Sequence, residues 1–254
     1  MPESTATVCR VLGRAAVVLL WLIAGIVILI AVFPWLARLD ARRCDAVRLR
    51  WFRGLARLLR LRLEAAGRPA TGPILVVANH IGWLDIVVLG CQTPLTFAAK
   101  EEVARWPLIG TLARRSGTLF LRRGNLRSVQ RVRRAIGERL RRGERVAIFP
   151  EGTTTRGDRV LPFAPSLLQA AIDSGVPVQP VTLAYPGAAA AVAPFVGEDT
   201  FAASLWRLLR LPEVNVRCHW HPPIQDRCRR TLARRARTVI ATTSAPPVAA
   251  RRAG

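Results

Sequence analysis

With 254 residues, 51% of them hydrophobic, the chain can bury one sizeable α/β core. Its formal net charge of +23 invites an anionic partner, but the arginines are spread from residue 10 to residue 252 with no aromatic-interleaved RNA motif and no metal-finger spacing, which makes nucleic-acid binding the weaker reading. The five cysteines, Cys9, Cys44, Cys91, Cys218 and Cys228, form no CxxC pair. A disulfide-rich secreted domain is thereby excluded, and a reduced cytoplasmic domain is the simpler expectation.

In chain order, the first predicted element is an apolar helix. No charged residue occurs between Arg14 and Arg38, and the run from Ala15 to Leu36 is long enough to cross a bilayer core. It exceeds a signal-peptide h-region and lacks a small-x-small exit, so it reads as a retained membrane anchor, with Trp21 and Trp35 near the interfaces. Arginines then crowd the following stretch, from Arg38 to Arg62. The positive-inside bias places the large C-terminal part on the cytoplasmic side of the cytoplasmic membrane. Val47, Leu49, Phe52, Leu55, Leu59 and Leu63 recur among these arginines, so residues 45–63 are expected to form a basic amphipathic helix on an anionic membrane surface.

Gly67-Arg68-Pro69-Ala70-Thr71-Gly72-Pro73 marks the start of a globular domain. The expected organisation is residues 1–66 as anchor and basic helix, 67–244 as the globular domain and 245–254 as a flexible tail. Strands are expected at Ile74–Ala78, Leu95–Ala98, Thr118–Leu121, Val146–Phe149, Val178–Leu183 and Val214–Trp220. Helices are expected at Asp85–Cys91, Glu101–Ser116, Leu126–Arg142, Ser166–Ser174, Thr200–Leu209 and Arg227–Thr243. This alternation predicts an α/β fold with a mixed, largely parallel sheet flanked by helices.

The first strand runs into His80-Ile81-Gly82-Trp83-Leu84-Asp85. Five residues amount to about 500° of helical rotation, so a single helix would not bring His80 and Asp85 together. A strand exit at His80, a bend at Gly82 and a helix start around Asp85 would. Such a pair fits a general base with its orienting carboxylate, and equally a turn histidine bonded to backbone. A second strand exit carries Phe149-Pro150-Glu151-Gly152-Thr153-Thr154. Ligands of open α/β sheets collect at such carboxyl ends, where Gly152 lets backbone approach a ligand and Glu151 can accept from a substrate hydroxyl. A third, Gly117-Thr118-Leu119-Phe120-Leu121-Arg122-Arg123, ends in two guanidinium groups, which suit phosphate and equally a solvated basic edge in so arginine-rich a chain. Val176-Pro177-Val178-Gln179-Pro180-Val181 reads as wall or packing. His219 and His221, with no Cys or carboxylate partner at ligand spacing, do not read as a metal site.

The blocks NHxxxxD, GxxFxxR, FPEGT and VPVxPV in that order resemble the glycerophospholipid acyltransferase family over residues 73–183, with Lys100-Glu101-Glu102 and Trp106-Pro107-Leu108-Ile109-Gly110 fitting the segment between. The resemblance implies an O-acyltransferase of the 1-acylglycerol-3-phosphate type. It would move a fatty acyl group from acyl-CoA or acyl carrier protein to a lysophospholipid hydroxyl, with membrane lipids as partners and neither cofactor nor metal. On it, His80 is the base and Asp85 its orienter. Phe149, Pro150, Glu151, Gly152 and Thr153 form part of the acceptor site, and Arg123 meets phosphate. Apart from the resemblance, the thioester oxyanion formed in such a transfer needs a donor, for which Lys100 and the backbone N–H groups near Gly152 are the candidates. The expected acceptor is 1-acyl-sn-glycerol-3-phosphate. Arg122 stands where many members carry an acidic or amide residue, which keeps lyso-ornithine lipid open as the alternative. The non-enzymatic alternative is a basic membrane-surface or nucleic-acid-binding protein.

Overall fold

The computed structural model describes residues 5–122 and 124–244. The expected tail at 245–254 and the site candidate Arg123 lie outside the described residues. The N-terminal apolar run forms α1 (Thr5–Val27), a π-helical turn (Ile28–Val32) and α2 (Phe33–Leu39). Pro34 has no N–H to give, and the Phe33 N–H reaches back to Ile28 O, which widens the turn just before it. Asp40, in extended conformation, then caps α3 (Ala41–Leu58) by accepting from Arg42 N at 2.8 Å.

Helices α1 and α3 are locked by a reciprocal pair of contacts. Trp21 packs on Gly54 and Trp51 on Gly25, so that a methyl group at either glycine would overlap an indole. Each indole N–H also donates to the other tryptophan's carbonyl, at 3.2 and 3.3 Å. Trp21 therefore serves helix packing rather than an interface with lipid. Arg14 donates to the carbonyls of Leu209 and Leu211, which ties α1 to the globular part. Val11, Val18, Leu22 and Gly25 form the docked stripe of α1, while Leu12, Leu19, Leu20, Ile23 and Val27, with Trp35 of α2, remain exposed.

The sheet holds seven strands in the order β1-β7-β6-β2-β5-β3-β4. These are β1 (Leu61–Ala66), β2 (Ile74–Ala78), β3 (Thr96–Lys100), β4 (Leu119–Leu121), β5 (Arg145–Ile148), β6 (Val178–Ala184) and β7 (Val214–Trp220). Among the described strands, β6 and β7 pair antiparallel and the other pairings are parallel, as a mixed, largely parallel sheet requires. The central strand β2 is buried throughout, and its side chains alternate between two cores. Val76 and Ala78 join the core that includes α1 and α3 together with α4 (Leu84–Gly90) and α9 (Phe201–Arg210). Leu75 and Val77 join the core built with α6 (Leu126–Arg141) and α10 (Arg229–Ser244). Both faces are covered, as expected of parallel strands.

Three expectations are corrected. Residues 61–63 are not the end of the basic helix: Arg60 turns at φ 56°, and Leu61–Ala66 pairs with β7 as an edge strand. The helix expected over 101–116 is split at Trp106-Pro107 into a 3₁₀ turn (Glu101–Arg105) and α5 (Ile109–Arg115), because proline cannot continue the ladder. The helix expected at 166–174 is only α7 (Gln169–Asp173), and a short α8 (Ala189–Val192) was not foreseen. His219 and His221 stack on each other with centroids 4.2 Å apart. Burial lowers the His221 pKa to about 4, and its Nε2 meets Thr182 Oγ1 at 2.8 Å, so this ring is a neutral element of the core.

Candidate active site

The carboxyl ends of β2, β3, β4, β5 and β6 lie along one edge of the sheet, and each candidate residue of the described chain ends or follows one of them. The exit from β2 is fixed by Asn79. Its side-chain amide donates to Leu183 O at 2.9 Å and accepts from Leu183 N at 2.8 Å, taking over the pairing with β6 where the β2 ladder stops. His80 follows with a side chain 18% exposed, and Asp85, in the first turn of α4, is fully buried.

His80 Nδ1 lies 2.7 Å from Asp85 Oδ2. A carboxylate can only accept, so Nδ1 carries the proton and Nε2 is left as the basic nitrogen. The same Oδ2 accepts from Ile81 N at 2.7 Å and Gly82 N at 3.0 Å. Asp85 therefore folds the intervening turn around itself as well as meeting the ring. Gly82 is needed for close approach, since a Cβ there would meet Ala193 O at 2.5 Å. Asp85 Oδ1 accepts from Tyr185 Oη at 2.6 Å. Burial, then the neighbouring carboxylate, raises the Tyr185 pKa well above the usual phenol value, so it remains a donor. Tyr185 was missed in the sequence: it stands 100 residues from Asp85, and only the pairing of β6 beside β2 brings it there.

The His80 ring stacks on Phe149, with centroids 4.0 Å apart and planes at 15°. Glu151 does not aim at open space. Its Oε1 accepts from His80 N and its Oε2 from Leu161 N, both at 2.8 Å, so the carboxylate grips the backbone on both sides of the site. Burial raises the Glu151 pKa, an effect opposed by these two amides. The N–H of Gly152 closes a turn on Phe149 O at 3.0 Å and is not free to meet an oxyanion, and its φ of +67° requires glycine. Thr153 and Lys100 line the same cavity as His80. Lys100 ends β3 beside Leu121 of β4, and the next residue, Arg122, is 3.8 Å from Glu101 in an exposed pair.

That cavity measures about 540 Å³ and runs from His80 and Phe149 inward between the domain and the N-terminal helices. Leu22, Gly25 and Leu29 form one side, Trp51 and Phe52 another, and Phe97 a third. Most of its lining is apolar, with Arg48, His80, Lys100 and Glu102 among its polar groups. Among the described residues, no group of three or more His, Cys, Asp or Glu could hold a metal ion.

The family model for acyltransferases matches residues 62–184. The lyso-ornithine lipid O-acyltransferase of Pseudomonas aeruginosa is 40% identical over 210 residues, covering 80% of this chain and 81% of that protein. The 1-acyl-sn-glycerol-3-phosphate acyltransferase of Neisseria meningitidis is 36% identical over 170 residues, covering 65% of this chain and 66% of that protein. The crystal structure of the 1-acyl-sn-glycerophosphate acyltransferase of Thermotoga maritima superposes with a TM-score of 0.66, over 92% of this chain and 96% of that one. At 22% identity this last likeness is one of fold.

Proposed function

This chain belongs to the acyltransferase family, and we propose that it moves a fatty acyl group from a thioester to the free hydroxyl of a lysolipid, with His80 as general base. The observation that carries the reading is the His80–Asp85 pair beside a cavity of about 540 Å³ that His80 lines together with apolar residues of α1 and α3. The acceptor hydroxyl gives its proton to His80 Nε2 as its oxygen attacks the thioester carbonyl. The tetrahedral intermediate then collapses, the C–S bond breaks, and the imidazolium returns the proton to the departing thiolate. Asp85 holds the tautomer and stabilises the imidazolium, and Tyr185 holds Asp85. Lys100, which lines the same cavity, is placed to meet the oxyanion or the acceptor headgroup. Transfer is direct, without an acyl-enzyme.

The donor is acyl-CoA or acyl carrier protein. The exposed apolar residues of α1 and α2 lie in lipid, with the catalytic domain on the cytoplasmic side. Two acceptors have specific support. The four ordered blocks favour 1-acyl-sn-glycerol-3-phosphate, and the 40% identity over most of both chains favours lyso-ornithine lipid. Acyl transfer in liposomes from each donor to each acceptor separates them, and the preferred acceptor names the headgroup. Transfer to neither acceptor, under conditions where an authentic lysolipid acyltransferase works, would refute the reading. In the same assay Tyr185→Phe is expected to lower kcat about three- to tenfold and to cost about 1 kcal/mol of stability, since it removes one hydrogen bond to a buried carboxylate. Unchanged kcat would remove Tyr185 from the relay.

A further inference from the structure

His80 is held through its backbone as well as its ring. Its N–H donates to Glu151, and its carbonyl accepts from Thr155 N at 2.8 Å. Both partners belong to one segment, residues 150–164, which has no helix or strand of its own after Pro150. Contacts must therefore set its shape. Ala164 N closes it on Pro150 O at 2.8 Å, and Leu161 N fixes the second oxygen of Glu151.

The peptide that fixes Glu151 is itself fixed from α10. The Arg237 guanidinium donates from Nε to the carbonyls of Val160 and Leu161, both at 3.1 Å, and from Nη2 to Val160 O at 2.9 Å. A planar fork spread over two adjacent carbonyls sets the orientation of the peptide as well as its distance. The support is rigid: Leu232, Ala233, Ala236 and Ile240 of α10 are buried in the core that also takes Val160. A continuous chain of hydrogen bonds thus runs from Arg237 through Leu161 and Glu151 to the His80 amide. Its origin lies outside residues 62–184, the span matched by the acyltransferase family.

We propose that Arg237 is a positioning residue for His80, acting through the 160–161 peptide and Glu151. The proposal rests on His80 being the base. Without Arg237 the Val160 and Leu161 carbonyls turn, the Leu161 amide leaves Glu151, and the histidine backbone loses one of its two holds. The imidazole then samples poses outside in-line reach of the acceptor hydroxyl. A misplacement of that kind lowers kcat and leaves binding nearly intact.

The test uses the full chain in detergent, with Arg237→Ala, Arg237→Lys, Glu151→Gln and the double variant Arg237→Ala/Glu151→Gln. Arg237→Ala is expected to lower kcat about tenfold with acceptor KM within about twofold, and Arg237→Lys to recover part of the loss. The double variant is expected to be no worse than about twofold below the poorer single variant, because both changes cut one chain. The second readout needs no turnover. The chain has three histidines, so labelled-histidine spectra are simple, and the His80 signal is assigned by its loss in His80→Ala. Arg237→Ala is expected to move it. Multiplicative losses in the double variant, wild-type kcat in Arg237→Ala, or an unmoved His80 signal would overturn the proposal. Wild-type protein that acylates neither acceptor refutes the enzymatic reading instead, and the spectra still decide the coupling.

Discussion

Replacing His80 with alanine is expected to lower kcat by about 10²–10⁴-fold, the range over which a positioned general base contributes, while the protein remains folded. The substitution leaves Asp85 well satisfied, because Ile81 N, Gly82 N and Tyr185 Oη still donate to it. The backbone grip by Glu151 and Thr155 does not involve the imidazole. What is lost is the stack on Phe149 and the basic Nε2. The midpoint of thermal unfolding should therefore shift little, and the loss should appear in single-turnover transfer, where product release plays no part. A variant that turns over at the wild-type rate would exclude His80 as the base.

Asp85→Asn is expected to cost more in stability and nearly as much in rate, about 10²–10³-fold in kcat. Asparagine has the same shape but only one acceptor oxygen, whereas four donors converge on the carboxylate. With its oxygen toward Ile81, Gly82 and His80, the amide nitrogen confronts the Tyr185 hydroxyl. In the opposite orientation it confronts two backbone N–H groups. The first arrangement is the cheaper, and it keeps the tautomer of His80. The rate loss then comes from the missing negative charge beside the imidazolium formed in the transition state. The mismatch in a fully buried site should cost about 1–3 kcal/mol. Thermal unfolding of the folded variant and single-turnover rates measure the two effects separately. Intact kcat would deny Asp85 its role.

The pair His80 and Asp85 was legible because both partners lie in one short segment after a strand that can be recognised by its unbroken Ile-Leu-Val-Val-Ala run. Phe149 and Glu151 were legible as a second strand exit, although the direction of the Glu151 carboxylate was not: its partner Leu161 lies in a segment without periodicity. Tyr185 and Arg237 carry no local signal at all. One is brought in by strand order and the other by the docking of a helix 77 residues past the carbonyl it holds. The misread strand at Leu61–Ala66 has a comparable cause. Leu59, Leu61 and Leu63 alternate with arginines in a way that continues a helical leucine pattern on one reading and starts a period of two on the other. The left-handed turn at Arg60, which decides between them, is imposed by pairing with a strand about 150 residues away.

That pairing has a consequence for the order in which the protein is made. The ribosome delivers β1 directly after helices α1 to α3, but among the described strands its neighbour is β7, which is synthesised last of them. The first strand of the nascent chain thus waits with an open backbone, and a centre made of β2, β5 and β3 can assemble before the edge closes. Arg60 and Arg62 flank or lie within the waiting strand, and such charges discourage it from pairing with another chain in the interval. Vectorial synthesis and sheet topology together make the arrival of β7 the event that closes the β1 edge of the sheet.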